Sequence, residues 1–182
     1  MAPCNKFLAR LVLSLTAISL FFVRSNGDKN LIKSVCSTAD NVKFCISVFI
    51  TDPRSESANV HGLALIAIQT ALNKAQDTLD TKIYNLSKII TDPVNKQRLD
   101  VCRTDYTNAV ANFKGAFGST DKNAYGDAID WVRKGANDVI DFQDIYQRKD
   151  LIAESPISAE NNEIAIKSSA VILTVIDNLV RK

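Results

Sequence analysis

Apolar residues recur at intervals of three and four along almost the whole chain, and this helical spacing limits the fold more than any other feature. Proline and glycine are scarce, at four and six of 182 residues, so few positions interrupt the spacing. The clearest stretch runs from about Asn59 to Ile90. Its apolar face carries leucines seven residues apart with apolar residues between them, namely Leu65, Ile68, Leu72, Ala75, Leu79, Leu86 and Ile89. This pattern predicts a long helix.

Two further helices follow. Asp92 and Pro93 supply an N-cap carboxylate and a proline at the first helical position, and Gly118 predicts the end of that helix. Its apolar positions are Leu99, Cys102, Tyr106, Val110, Phe113 and Phe117. Thr120 is expected to cap the next helix. The apolar positions of that helix are Tyr125, Ile129, Val132, Ala136, Val139 and Phe142.

The C-terminal part predicts a loop over residues 151–157, which include Pro156, and then a last helix capped by Ser158. Four long helices with short connections predict an all-α fold, an antiparallel up-down-up-down four-helix bundle. A dimeric coiled coil is the alternative for the leucine-rich helix. Lys82 interrupts its apolar face, however, and three more helices need a partner, which favours the bundle within one chain.

The N-terminal part carries the signs of secretion. Lys6 and Arg10 precede an apolar run over residues 11–23, which is too short to span a bilayer and has the length of a signal peptide's hydrophobic region. We expect residues 1–27 to be a signal peptide and residues 28–182 the mature domain, with an uncleaved anchor as the alternative. Cys36 and Cys45 lie just beyond, and such a pair after a signal predicts a disulfide made in an oxidising compartment.

The Cys36–Cys45 bond is expected to link two short helices into an α-hairpin in front of the bundle, because neither helix is long enough to be stable alone. The first contains Leu31, Ile32 and Val35. The second, ending before Asp52-Pro53, contains Phe44, Ile46, Val48 and Phe49.

The net charge excludes one class of partner. The whole chain is +2, from 22 basic and 20 acidic residues, but three of the basic residues lie in the leader. Without the leader the charge is about −1, so nothing indicates nucleic-acid binding. No second apolar run is long enough to span a membrane, and the mature length suits a single domain.

Groups with catalytic or metal-binding patterns are missing. His61 is the sole histidine and is expected to be a surface or helix-start residue. No glycine-rich phosphate loop, nucleophile elbow or paired-histidine motif occurs. We therefore expect neither an enzyme nor a cofactor or metal. Asn85-Leu86-Ser87 is an N-glycosylation sequon, which makes Asn85 a candidate modification site.

Several blocks in order resemble the plant invertase/pectin methylesterase inhibitor family over essentially the whole mature chain. They are the Cys36–Cys45 hairpin, Asp52-Pro53-Arg54-Ser55 leading into residues 63–67, Leu99-Asp100-Val101-Cys102 with Tyr106, and Asp141-Phe142-Gln143-Asp144-Ile145-Tyr146. The resemblance implies a monomeric, proteinaceous inhibitor secreted to the apoplast. It would act without chemistry of its own, by covering the substrate cleft of a carbohydrate-active enzyme.

Two targets follow from the resemblance, pectin methylesterase first and cell-wall or vacuolar acid invertase as the alternative. Invertase-directed relatives carry Pro-Lys-Phe at the turn between the second and third bundle helices. The matching region here is residues 118–125, in which only Lys122 invites comparison; the central residues are Asp121, Lys122 and Asn123. We take these three residues as the candidate target-contact segment. The C-terminal residues 168–173 resemble invertase-inhibitor-like pollen proteins. A non-inhibitory, pollen-type member stays open, as does a helical-bundle ligand carrier.

One departure from the family concerns its second disulfide. Relatives carry a cysteine near the end of the third bundle helix, which pairs with the cysteine matching Cys102. Phe142 occupies that position here. Cys102 is therefore expected to be a buried thiol that forms no disulfide, and the cross-link between two bundle helices is expected to be lost.

Overall fold

The computed structural model describes the backbone of residues 25–147 and 159–181, with the side chains of residues 29–141 and 165–181. Within these ranges all regular structure is helical and there is no strand. The helices are α1 (Ser25–Cys36), α2 (Val42–Ile50), α3 (Val60–Asp77), α4 (Tyr84–Ile89), α5 (Pro93–Asp121), α6 (Tyr125–Gln147) and α7 (Ala159–Val180). A 3₁₀ turn covers Pro53–Glu56, and a π-helical segment, Thr78–Ile83, joins α3 to α4.

Four long helices form a closed bundle, in which α3 packs on α5, α5 on α6, α6 on α7, and α7 on α3. The α5–α6 pair runs antiparallel, because Asn112 contacts Asp138 while Gly115, further along α5, lies against Trp131, earlier in α6. This confirms the predicted all-α bundle. Among the described residues, no helix combines the length and apolar character needed to cross a membrane.

The face that α3 buries differs from the predicted leucine stripe. The fully buried positions are Leu63, Ala64, Ala67, Ile68, Ala71 and Ala75. The leucines seven residues apart lie at the edge of this face and are partly buried, while Ile89 is 72% exposed and does not belong to it. The π-helical turn then changes the register, so that Ile83 points into the core and Lys82 faces solvent. Alanines on the buried face let the neighbouring helices approach closely.

The beginning of α5 agrees with the prediction, since Asp92 Oδ2 accepts a hydrogen bond from the Asn95 backbone N–H at 2.8 Å. The predicted end is wrong. The helix continues through Gly118 to Asp121, and Thr120 is a buried helical residue instead of a cap. Glycine ends a helix when it adopts a positive φ, and Gly118 does not; Asn123, at φ 59°, is the position that does.

The N-terminal hairpin contains the predicted disulfide. Cys36 and Cys45 are bonded, with their Cα atoms 5.7 Å apart, and both side chains are fully buried. Asn41 caps α2 by accepting from the Phe44 backbone N–H at 3.0 Å. Both hairpin helices pack against α7, so the disulfide holds together a small unit that covers part of the bundle. The signal-peptide prediction concerns residues that lie almost wholly outside the described ones. The 151–157 loop, the Ser158 cap and the Phe142 side chain also lie outside them.

Candidate functional site

The candidate contact segment forms the tip of the turn between α5 and α6. Asp121, Lys122 and Asn123 are all exposed. The helix end is a Schellman motif: the Asn123 N–H donates to the Thr120 carbonyl and the Ala124 N–H to the Ser119 carbonyl, each at 2.8 Å. Asparagine tolerates the left-handed conformation that this motif needs. The turn is therefore fixed by its backbone, while the side chains of Asp121 and Lys122 stay available to a partner.

Two side chains outside the segment reach this turn. The Tyr125 hydroxyl donates to Asn123 Oδ1 at 2.8 Å, and His61 Nδ1 lies 3.0 Å from the same hydroxyl. His61 stands in the first turn of α3 and is partly buried, so of the two expected placements, surface or helix start, the structure shows the helix start. Sequence reasoning missed this contact because the two residues are 64 positions apart.

A polar groove runs along the α5–α6 pair, away from the turn. It has a volume of about 400 Å³ and is lined by Asn108, Ala111, Asn112, Lys134, Asn137 and Asp138. The Asn112 side-chain amide donates to Asp138 Oδ2 at 2.7 Å. Beside the groove, Trp131 packs over Gly115 and is 37% exposed, with the Lys134 ammonium 4.6 Å from its ring centroid. This face thus presents amides, one cation and an aromatic edge.

Three carboxylates meet at the far end of this groove. Burial, together with the negative charges of Asp138 and Asp141, raises the pKa of Asp105 to about 6. Burial also raises the pKa of Asp138, against the hydrogen bond from Asn112 that lowers it. Asp105 Oδ2 is buried without a hydrogen-bond partner. The α5–α6 contact therefore contains a repulsive element that the sequence did not suggest, because its members lie on two helices.

The remaining predicted positions lie elsewhere. Cys102 is fully buried on α5 and forms no disulfide with any residue in the described ranges. It lies one helical turn from Tyr106. The Tyr106 hydroxyl forms a hydrogen bond with Thr78, and burial raises the pKa of Tyr106. Asn85 is exposed on α4, where a glycan would be accessible to solvent. In the part of the chain that the structure describes, no cluster of histidine, cysteine or carboxylate side chains could hold a metal ion.

The comparisons with known proteins agree with this architecture. A family model described as plant invertase/pectin methylesterase inhibitor matches residues 30–173. Pectinesterase inhibitor 5 of Arabidopsis thaliana is 30% identical over 150 residues, covering 82% of this chain and 83% of that protein. Cell wall / vacuolar inhibitor of fructosidase 2 of the same plant is 29% identical over 181 residues, 99% of both chains.

A solved structure supports the fold independently. The crystal structure of a mutant form of a pectin methylesterase inhibitor from Arabidopsis matches with a TM-score of 0.67 at 19% identity, covering 80% of this chain and 95% of that one. The family model covers well over half of the chain, and the observed bundle with its disulfide-linked hairpin agrees with it. The chain belongs to the plant invertase/pectin methylesterase inhibitor family, whose members are enzyme inhibitors.

Proposed function

We propose that this protein inhibits pectin methylesterase by covering the enzyme's substrate cleft. The observation that carries the proposal is the family match over residues 30–173, together with a relative of 30% identity that is itself a pectinesterase inhibitor. The mechanism needs no catalytic group on the inhibitor. It needs an ordered surface that loses little conformational entropy on binding, and the capped α5–α6 turn is such a surface.

The segment proposed to meet the target is Asp121, Lys122 and Asn123, supported by the exposure of all three side chains at a fixed turn. The neighbouring α5–α6 face would extend the contact. Trp131 offers an aromatic anchor of the kind that dominates binding energy in protein interfaces. The amides of Asn108 and Asn137 can form hydrogen bonds around it.

Acid invertase is the second candidate target. The observation favouring it is the full-length relative that inhibits fructosidase, which spans 99% of both chains. Against it, the turn lacks the proline and phenylalanine of the invertase-directed segment and keeps only Lys122.

We further propose that the protein acts outside the cell as a monomer, after removal of residues 1–27, and that Asn85 is glycosylated. The cell wall and vacuolar relative and the oxidised Cys36–Cys45 pair support secretion. The exposure of Asn85 supports modification.

The test is a titration of the mature protein into pectin methylesterase and acid invertase assays at mildly acidic pH. We expect loss of pectin methylesterase activity at or below micromolar inhibitor. Lys122→Glu should weaken inhibition about tenfold if the turn contacts the enzyme. Lys96→Glu is the matched control, because Lys96 is also exposed but lies near the start of α5, at the opposite end of that helix from the turn. If neither enzyme loses activity, the proposed function is wrong.

A further inference from the structure

His61, the sole histidine of the chain, lies on α3, outside the α5–α6 turn. Its ring is linked to that turn through a single residue. Tyr125, the first residue of α6, is that intermediate, with its hydroxyl between His61 Nδ1 and Asn123 Oδ1. The imidazole and phenol rings also meet edge to face, at 67° with centroids 6.2 Å apart. The chain of contacts therefore connects α3 to the α5–α6 turn.

The positions of the hydrogen atoms in the His61–Tyr125–Asn123 contacts follow from the donors available. A phenol has one hydrogen, and Tyr125 donates it to Asn123 Oδ1 at 2.8 Å. With that hydrogen directed at Asn123, the tyrosine oxygen can accept from His61 when the imidazole carries its hydrogen on Nδ1, and this is the tautomer we assign. A hydrogen bond of this kind selects one of the two neutral tautomers of a histidine.

Asn123, the last acceptor in this series of hydrogen bonds, also has a left-handed backbone conformation. Among the described residues, Asn123 is the only one other than glycine with a positive φ. Its backbone is set by the Schellman motif, but nothing in that motif fixes the carboxamide. The bond from Tyr125 does so, and Tyr125 is itself held because its ring is partly buried against the core.

We infer that His61 and Tyr125 are positioning residues, which hold the side chain of Asn123 and the turn of Asp121 and Lys122 in one geometry for the target. The inference rests on the proposed function of the turn. It predicts a specific division of effects: removing either residue disturbs the turn and weakens inhibition, while the bundle stays folded.

The first readout is spectroscopic and needs no target enzyme. Because the chain has one histidine, its ¹⁵N imidazole signals belong to His61 without ambiguity. The wild type should show hydrogen on Nδ1, and Tyr125→Phe should shift the neutral ring toward the other tautomer. Amide hydrogen exchange at Asn123 and Ala124 should become roughly 2- to 10-fold faster, the range expected for loss of one net hydrogen bond. An unchanged tautomer and unchanged exchange would overturn the inference.

The second readout is inhibition by the same variants. Tyr125→Phe and His61→Ala should each raise the inhibitor concentration for half inhibition several-fold. His61→Asn should restore much of the loss, because an asparagine amide can place a donor near the former Nδ1 position. Tyr84→Phe is the matched control, since Tyr84 is exposed at the opposite end of the bundle. Melting temperatures of all variants should stay close to that of the wild type.

The outcomes separate this inference from the proposed function. If the wild type inhibits neither enzyme, the proposed function fails, and the tautomer and exchange data still decide whether His61 and Tyr125 position the turn. If the turn loosens while inhibition is unchanged, the positioning role for target binding is wrong. If His61→Asn behaves like His61→Ala, the role of Nδ1 as donor is wrong.

Discussion

At the scale of single residues, Cys102 is the cysteine of the described chain that lies outside the disulfide. The thiol is fully buried on α5, and the sequence resemblance predicts that Phe142 on α6 stands where related inhibitors have its partner. The Asn112–Asp138 bond sets the antiparallel register of α5 and α6, and the side chain of residue 142 lies outside the described ones. The family resemblance predicts that a cysteine at position 142 would pair with Cys102.

Phe142→Cys is therefore expected to form a disulfide with Cys102 under oxidising conditions. Closing a loop of about 40 residues should stabilise the fold by roughly 3–4 kcal/mol on the chain-entropy model, less what is lost by removing the phenylalanine. Thiol titration and melting curves, with and without reductant, check this. The control is the same substitution combined with Cys102→Ala, which should melt below the wild type. A reduced thiol pair in the oxidised variant would contradict the alignment at Phe142.

Glycines give a matched pair of substitutions within the helices. A Cβ at Gly118 would meet nothing within 4 Å, whereas one at Gly135 would lie 3.1 Å from the ring of the fully buried Phe113. Gly118→Ala should stabilise the protein by about 0.5–1 kcal/mol through helix propensity. Gly135→Ala should destabilise it by about 1 kcal/mol or more, because the ring has no space to move. Denaturant unfolding of both variants measures the change in the free energy of unfolding, which should have opposite signs. A loss of stability in Gly118→Ala would indicate that the helix ends at Gly118.

At the scale of elements, the α5–α6 pair combines extensive packing with the repulsion of Asp105, Asp138 and Asp141. The folded state disfavours the ionised form of Asp105, whose pKa is about 6 against an ordinary value of 3.8. The folded protein therefore binds a proton more tightly than the unfolded chain does, and stability should rise as the pH falls through 6. The gain levels off near the ordinary pKa, where the unfolded chain binds the proton too.

Asp105→Asn removes this titration. We expect the variant to be more stable than the wild type at pH 7.5 and to show a weaker dependence of stability on pH between 7.5 and 4. Urea midpoints across that range measure the difference. Asp130→Asn is the control on α6, because the Asp130 side chain is 71% exposed. Parallel pH curves for the wild type and Asp105→Asn would show that this carboxyl does not carry the effect.

The elements also show what a sequence can predict. Spacing and caps indicated the helices, since Asp92 and Pro93 determine a helix start through local geometry alone. Gly118 misled because a glycine ends a helix only when tertiary structure gives it a positive φ, and Asn123 provides that reversal five residues later. The π-helical turn and the His61–Tyr125 contact have no local pattern. Both depend on residues that the bundle brings together.

At the scale of the whole molecule, the hairpin and its disulfide stabilise the fold from one side. Replacing Cys36 and Cys45 by serine should cost roughly 2.5–3 kcal/mol, the value for a loop of about ten residues. Chemical denaturation of this variant should show this loss of stability. At denaturant concentrations well below the unfolding midpoint, hydrogen exchange of the α5 and α6 amides should stay slow. A double serine variant as stable as the wild type would mean that packing on α7 alone holds the hairpin.

The order of the bundle also sets the order in which the chain can fold. Three of the four contacts join long bundle helices that follow one another in the sequence, and the α3–α7 contact joins the first long helix to the last. Consecutive pairs close short loops and form quickly, while the last contact must wait for the end of the chain. As the polypeptide emerges from the ribosome, α3, α5 and α6 can assemble as a three-helix intermediate with its apolar side uncovered. Only the final helix completes the inhibitor.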